Sequence, residues 1–193
     1  VEAPDALIVW TGHAYVSKNI RGVAVERCDF ACMSSQYQLD EHRRNGWRPQ
    51  LGSWVTGFVP IDGLVNAAAK DPRSVLPPSL RESEHILLYG PTYNTKLTSS
   101  ELLGPKWAQQ LCERFPPLGI VIKPHPSQIV GMPHCIDWWR RSQEENDRIW
   151  LMDKQEDDVF PVMAAANVLL TDAASLMMWY LLLDRPLILV NNP

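Results

Sequence analysis

Long apolar runs are missing from this chain. The longest, Leu176 to Leu183, falls far short of a membrane span. Also missing are a Gly-rich dinucleotide fingerprint, a phosphate-loop lysine motif and a G-x-S-x-G elbow, which sets aside dehydrogenases, phosphate-loop NTPases and α/β-hydrolases. The four cysteines stand at 28, 32, 112 and 135, in no paired metal-ligand spacing. They read as small buried residues in a reducing compartment, and no metal is assigned. There is no basic excess: the net charge of −4 argues against a general nucleic-acid binder, although it leaves room for local basic pockets for phosphate. No signal peptide opens the chain, so the expected location is cytoplasmic. Internal repeats and low-complexity tracts are absent too.

What remains is an ordinary globular composition over 193 residues, 46% hydrophobic and 21% charged, enough for one large domain or two small ones. Short apolar runs at Ala6–Trp10, Cys28–Met33 and Trp54–Val59 read as strands. A helix from Gln36 to Arg44 stands between the last two, with Ser34-Ser35 as N-caps and Gly46 as its stop. From Asp71 to Glu84 the composition shifts to Pro, Ser, Arg and Glu, the signature of a linker. A fresh alternation follows: strands at His85–Tyr89, Leu118–Ile122, Ile149–Met152 and Val168–Leu170, with helices predicted over Glu101–Phe115, part of Ile136–Glu145, and Asp157–Ala166. Such alternation predicts an α/β fold with a parallel, doubly wound sheet. The expected division is a first domain over 1–65, a linker over 66–84 and a second domain over 85–193. Both ends look like those of a piece of something larger, because no helix follows the last strand to cover it.

That last strand belongs to the stretch Asn167–Pro193, N-V-L-L-T-D-A-A-S-L-M-M-W-Y-L-L-L-D-R-P-L-I-L-V-N-N-P. Strand, tight turn, helix and strand make a βαβ unit. The turn sets small residues at a helix N-terminus, where unpaired N–H groups and the helix dipole favour an anion. Thr171, Asp172 and Ser175 are therefore candidates to hold the phosphates of a donor nucleotide. Turn chemistry is the competing account for them, and Asp172 could equally be the N-cap of a helix over 173–185.

His125 is the sharpest single residue. It follows a predicted strand and sits between Pro124 and Pro126, whose rings restrict the local backbone. Rigid presentation at a strand's carboxyl end suits a group that meets phosphate or transfers a proton, and a loop histidine capping the strand is the alternative. Lys123 is either a phosphate ligand or a solvated strand end. His13, just after Gly12, and Lys18 five residues on form a second candidate set. Thr92, in the loop after His85–Tyr89, is placed to line the same cleft as Thr171, Asp172 and Ser175. His42, His85 and His134 read as surface or strand-edge residues, and Trp138, Trp139 and Trp179 as packing.

Taken in order, these stretches resemble the CDP-glycerol glycerophosphotransferase family, the teichoic-acid polymerases and primases. W-T-G-H-A-Y-V-S-K at 10–18 is similar to the family's W-H-G-T-x-x-K stretch and V-T-G-F-V-P-I-D at 55–62 to its v-T-G-x-P-x-x-D turn. L-L-Y-G-P-T-Y at 87–93 matches a strand ending in A-P-T, and K-P-H-P at 123–126 is identical. L-L-T-D-A-A-S at 169–175 stands where the family has L-I-T-D-Y-S-S, and R-P-L-I-L at 185–189 follows it.

The resemblance implies a GT-B-like architecture of two Rossmann-like domains, with 85–193 as most of the nucleotide-binding one. It implies His13 and His125 as the catalytic pair: His13 as base for the acceptor hydroxyl, His125 stabilising the donor phosphate. Lys18, Thr92, Lys123, Thr171, Asp172 and Ser175 would bind the donor. No obligatory cofactor is implied; the nucleotide-activated donor is a substrate, and the acceptor is a lipid-linked or polymer hydroxyl, reached by peripheral membrane association. The departures are Gly12 before His13 rather than after, Ala173-Ala174 for Tyr-Ser, and Trp179 for a carboxylate. They fall on the donor pocket. They keep a ribitol or nucleotide-sugar donor, a UDP-GlcNAc 2-epimerase-like enzyme and a non-catalytic binding module of the same fold open as alternatives.

Overall fold

The computed structural model describes residues 6–11, 25–58, 61–154 and 158–191. Two compact units divide the chain, Val1–Asp62 and Gly63–Pro193.

In the first unit, strands β1 (Val9–Trp10), β2 (Phe30–Met33) and β3 (Gly52–Val55) form a parallel sheet in that order, with Val9 opposite Phe30 and Met33 opposite Val55. Helix α1 (Gln36–Arg44) connects β2 to β3. Its start is built as the sequence suggests: the Ser35 hydroxyl accepts the Gln38 N–H at 3.2 Å. Gly46, at φ +74°, takes the chain out of the helix in the left-handed region. Val25, Ala31, Met33 and Leu39 are the core beneath, with Trp10 packed against them.

His42 does not lie at the surface. It points inward from α1, only 2% exposed, with the Trp10 ring 5.7 Å away and the Trp47 ring edge-on at 5.5 Å. Neither of its ring nitrogens has a hydrogen-bond partner. The helical period that carries Leu39 inward carries residue 42 with it, which a reading of histidine as polar overlooks.

The second unit is a five-stranded sheet, entirely parallel, in the order β6-β5-β4-β7-β8. Its strands are β4 (His85–Gly90), β5 (Leu118–Ile122), β6 (Ile149–Leu151), β7 (Val168–Thr171) and β8 (Leu187–Leu189). Every residue of β5 is buried, and all of β4 but His85, as expected of strands covered on both faces. The predicted helix over 101–115 is two, α4 (Ser100–Leu103) and α5 (Trp107–Arg114), because Gly104 at φ +73° and Pro105 cannot continue a helix. After β5 come α6 (Pro126–Gly131) and α7 (Pro133–Glu145), and before β7 comes α8 (Val159–Ala165), capped by the Asp158 carboxylate. The core closes around Tyr89, with Trp107 at 4.9 Å and Trp139 at 5.9 Å, both edge-on. The two tryptophans are packing residues, and aromatic side chains of this kind each bury roughly 150–250 Å².

The Pro-rich stretch 71–84 is folded into this unit. After helix α2 (Ile61–Ala68), a 3-10 turn (Pro72–Val75) and helix α3 (Pro78–Arg81) each begin on a proline, where a missing N–H costs nothing. Leu76 and Leu80 are buried at 1% and 0% exposure. The Arg73 guanidinium donates to the carbonyls of Arg81, Ser83 and Glu84, and Arg81 to those of Leu76 and Ser74. Composition marked a linker; the arginines and buried leucines make it a cap on the sheet's amino end, next to His85.

Two stability outcomes follow. Leu80→Ala should cost about 2–5 kcal/mol in chemical denaturation, as for a fully buried leucine, whereas a leucine in an open linker would change little. Burial holds the His42 pKa below its ordinary 6.5, a shift only partly opposed by Glu41. The unfolded chain then takes up a proton on His42 before the folded one does. Stability should fall as pH drops below about 6.5 and level off once the folded value is passed. His42→Phe should flatten that segment of the pH–stability curve.

Candidate functional site

The strands run β4, β5, β6 toward one edge of the sheet and then resume at β7 on the other side of β4. The reversal point of such a sheet, at the carboxyl ends of the strands, is where α/β folds bind ligands. Three connections meet there: 91–99 after β4, 123–125 after β5 and 172–175 after β7.

The connection after β5 leaves the sheet in register, with the Lys123 N–H donating to the Tyr89 carbonyl at 2.8 Å. Lys123 is half-buried and Pro124 buried, while His125 is exposed. His125 is the N-cap of α6, with Pro126 in the first turn. Its Nδ1 accepts the Ser127 N–H at 3.1 Å, so the ring proton sits on Nε2. The imidazole thus carries its hydrogen-bond donor on Nε2. The Tyr93 ring lies over it, centroid to centroid 4.6 Å, tilted by 39°. The cap is reciprocal: the His125 N–H donates to Gln128 Oε1 at 3.2 Å.

After β7, Thr171 is fully buried and its hydroxyl donates to the Gly90 carbonyl at 2.6 Å. Asp172 is fully buried too. One of its oxygens accepts the Thr92 N–H at 2.7 Å; the other accepts the Ser99 N–H at 2.8 Å and the Ser99 hydroxyl at 2.9 Å. Both carboxylate oxygens are therefore directed at the connection after β4. Thr92 itself is buried.

The N-cap of the next helix, α9 (Leu176–Tyr180), is Ser175 and not Asp172, and the Ser175 side chain makes no capping bond. The helical stretch expected over 173–185 is shorter, five residues followed by a 3-10 turn (Leu181–Leu183) and Asp184 at φ +49°. The chain must turn back here to enter β8. That turn is held by Arg185, which donates to the Ala164 and Ala166 carbonyls, and by the Tyr180 hydroxyl, which donates to Ala166 at 3.0 Å. A helix this short aligns few peptide dipoles, so the anion-favouring argument rests more on local N–H groups than on a macrodipole.

Beneath the exposed His125 and Tyr93 lies a buried polar layer that sequence reasoning missed. The Ser99 hydroxyl spends its proton on Asp172, so the Tyr89 hydroxyl, 2.8 Å away, donates to Ser99. Burial raises the Tyr89 pKa above its ordinary 10 and keeps that proton in place. Gln128, 0% exposed, donates to the Ser100 hydroxyl at 2.9 Å and to Thr98 at 3.2 Å. The one legible signal was H-P-S-Q at 125–128, which has a capping-box spacing with an unusual cap residue.

His13 and Lys18 lie outside the described residues. Among the described residues no group of three or more His, Cys, Asp or Glu is arranged to hold a metal ion. Among the described residues Cys32, Cys112 and Cys135 are in no disulfide, and Cys28, Cys112 and Cys135 are buried; burial lifts the Cys135 pKa to about 11. His85 and His134 are exposed and paired with Glu84 and Glu101. No helix among the described residues is long and apolar enough to cross a membrane.

This fold recurs in solved structures of low sequence identity. The wall teichoic acid polymerase TagF superposes with a TM-score of 0.62 at 18% identity, over 86% of this chain and 40% of that one. TagF soaked with CDPG gives 0.58 at 17% identity, over 94% and 45%. A UDP-GlcNAc 2-epimerase from Neisseria meningitidis, bound to UDP-GlcNAc, gives 0.58 at 14%, over 86% and 45%. The chain thus spans less than half the length of these neighbours, and it shares with them parallel sheets flanked by helices, a GT-B-type α/β fold. No curated protein sequence matches it. The model of the CDP-glycerol:poly(glycerophosphate) glycerophosphotransferase family matches residues 12–192, which is nearly all of the sequence and includes both candidate histidines and the 171–175 turn, so the chain belongs to that family.

Proposed function

We propose that the protein transfers a glycerol-phosphate-type group from a nucleotide-activated donor, CDP-glycerol or a close relative, to a hydroxyl acceptor in cell-surface polymer synthesis. The observation that carries this reading is the family match over residues 12–192.

In this reading the acceptor oxygen attacks the donor phosphorus that bears the polyol. A new P–O bond forms there as the bond to the departing nucleoside monophosphate breaks. The acceptor's proton goes to His13 as general base, and the nucleotide leaves with the negative charge. His125 meets that charge. Its Nδ1 is engaged by Ser127, so Nε2–H is the group it offers, a fixed donor for a phosphate oxygen rather than a base. Lys18 and Lys123 supply positive charge, and Ser175 and the main chain of the 172–175 turn receive the diphosphate. Thr171 and Asp172, whose side chains are spent on Gly90, Thr92 and Ser99, shape that turn. Thr92 contributes through the loop they hold. The acceptor is a lipid-linked or polymer hydroxyl, and the reaction takes place at the cytoplasmic face of the membrane.

The test is release of nucleotide from CDP-glycerol, CDP-ribitol and UDP-GlcNAc by the full-length protein. CDP-glycerol or CDP-ribitol should turn over, and His13→Ala and His125→Ala should each cost roughly 10²–10⁴-fold in kcat with the melting temperature held. Turnover that survives both substitutions removes the histidines from the chemistry. Binding of UDP-GlcNAc with no binding of either cytidine donor overturns the donor class and points to an epimerase-like or sugar-transferring relative. A Ser127→Pro variant takes away the N–H that fixes the His125 tautomer, and kcat should fall in it more than KM rises.

A further inference from the structure

Gln128 is placed where it cannot touch a ligand, yet it bonds in two directions. Its side chain is fully buried, and its three hydrogen-bonding positions are engaged inside the protein. The oxygen accepts the His125 main-chain N–H at 3.2 Å. The two amide protons go to Ser100 Oγ at 2.9 Å and Thr98 Oγ1 at 3.2 Å, with Met132 Sδ further off at 3.8 Å. The amide orientation follows from its partners: a main-chain N–H can only donate, so the oxygen must face His125 and the nitrogen the hydroxyls.

A helix cap needs only the oxygen. The nitrogen half is surplus to capping, and it reaches the connection after β4 at its far end, where Thr98 and Ser100 flank Ser99. Ser99 in turn is bound to Asp172. That same connection carries Tyr93, whose ring lies on the His125 imidazole. One buried amide therefore joins the backbone beneath the imidazole to the loop that covers its face.

We propose that Gln128 is a positioning residue for His125, setting the place and the Nε2–H tautomer of the ring by clamping the 123–128 segment to the 91–99 loop. This rests on the reading of His125 as the donor-phosphate partner, but its main readout does not. Loss of the amide frees the first turn of α6 to move relative to Tyr93. The Ser127 N–H then no longer holds Nδ1 in one geometry, and the second tautomer becomes populated. A misplacement of this size at a group that must meet a developing charge costs on the order of 10- to 100-fold in rate.

The experiment records imidazole nitrogen NMR shifts of His125, together with kcat and KM for CDP-glycerol, in the full-length protein and three variants. Gln128→Met removes both halves of the amide, and Gln128→Glu keeps the capping oxygen while removing the donors. Ser100→Ala with Thr98→Val removes the partners and leaves Gln128 in place. The expected result is a single Nε2–H tautomer in the parent and a mixed population in all three variants. The expected rate change is a kcat 10- to 100-fold lower at a KM within about threefold of the parent. Parent-like imidazole shifts and kcat in Gln128→Glu would reduce the residue to a helix cap and overturn the proposal. Parent-like shifts in the Ser100/Thr98 variant would overturn it as well, even if Gln128→Met does not fold. If no cytidine donor turns over, the transferase reading fails while the imidazole spectrum still decides this one.

Discussion

A carboxylate buried without partners would be among the costliest features a small domain can carry, and Asp172 is fully buried. It is tolerated because the 91–99 loop folds over it and supplies donors from Thr92 and Ser99, at 2.7 to 2.9 Å. Charge-assisted hydrogen bonds of this kind are about twice as strong as neutral ones. The dependence runs both ways. The loop has little apolar anchorage between Tyr93 and Leu97, all exposed, so its course over the sheet is set by its two ends, and both end on the same carboxylate. The exposed stretch Tyr93–Leu97 is thus held at both ends by that carboxylate, with Gln128 bonded to Thr98 and Ser100 at its far end.

The result is a layered site. Below, Tyr89, Thr98, Ser99, Ser100, Gln128 and Asp172 satisfy one another in a volume that is buried. Above, Tyr93, His125 and Ala173 are exposed. A floor with its polar groups already paired does not rearrange when a charged ligand arrives, which is the condition for electrostatic stabilisation without reorganisation cost. The paired hydroxyls also lend the floor direction. Tyr89 donates to Ser99 and Ser99 to Asp172, so the negative charge ends the chain of donors and sets the sense of each hydroxyl before it.

How much of this was legible in the sequence depended on the kind of interaction. The parallel strands of the second unit were readable because burial on both faces leaves uninterrupted apolar runs, as in Leu118–Ile122. The presence of His125 at a strand end was readable because two prolines mark it. Partnerships across sequence distance were not: nothing near Asp172 says that its donors lie 73 and 80 residues earlier. Composition misled where a residue type serves two purposes. Prolines 72 and 78 start turns of helix here rather than breaking structure, and His42 followed the helical period into a tryptophan-lined core instead of staying at the surface. The split at Gly104-Pro105 is written in the sequence, since neither residue continues a helix.

The departures from the family pattern around the 171–175 turn differ in kind. Trp179 stands where the family resemblance implies a carboxylate, and its ring packs 5.5 Å from that of Phe160 on α8. Phe160 in turn lies so close to Gly63 that a Cβ there would meet its ring at 2.7 Å. The missing side chain at 63 therefore makes room for the Phe160 ring, against which Trp179 packs. A carboxylate at 179 would have to leave that contact or be desolvated within it, so the substitution has been absorbed by packing between helices. Ala173 is the opposite case. It is exposed, in the turn directly after Asp172, where the resemblance implies a Tyr ring. Packing accounts for the tryptophan but not for the alanines, so under the proposed function it is Ala173-Ala174, rather than Trp179, that would change the surface offered to a donor.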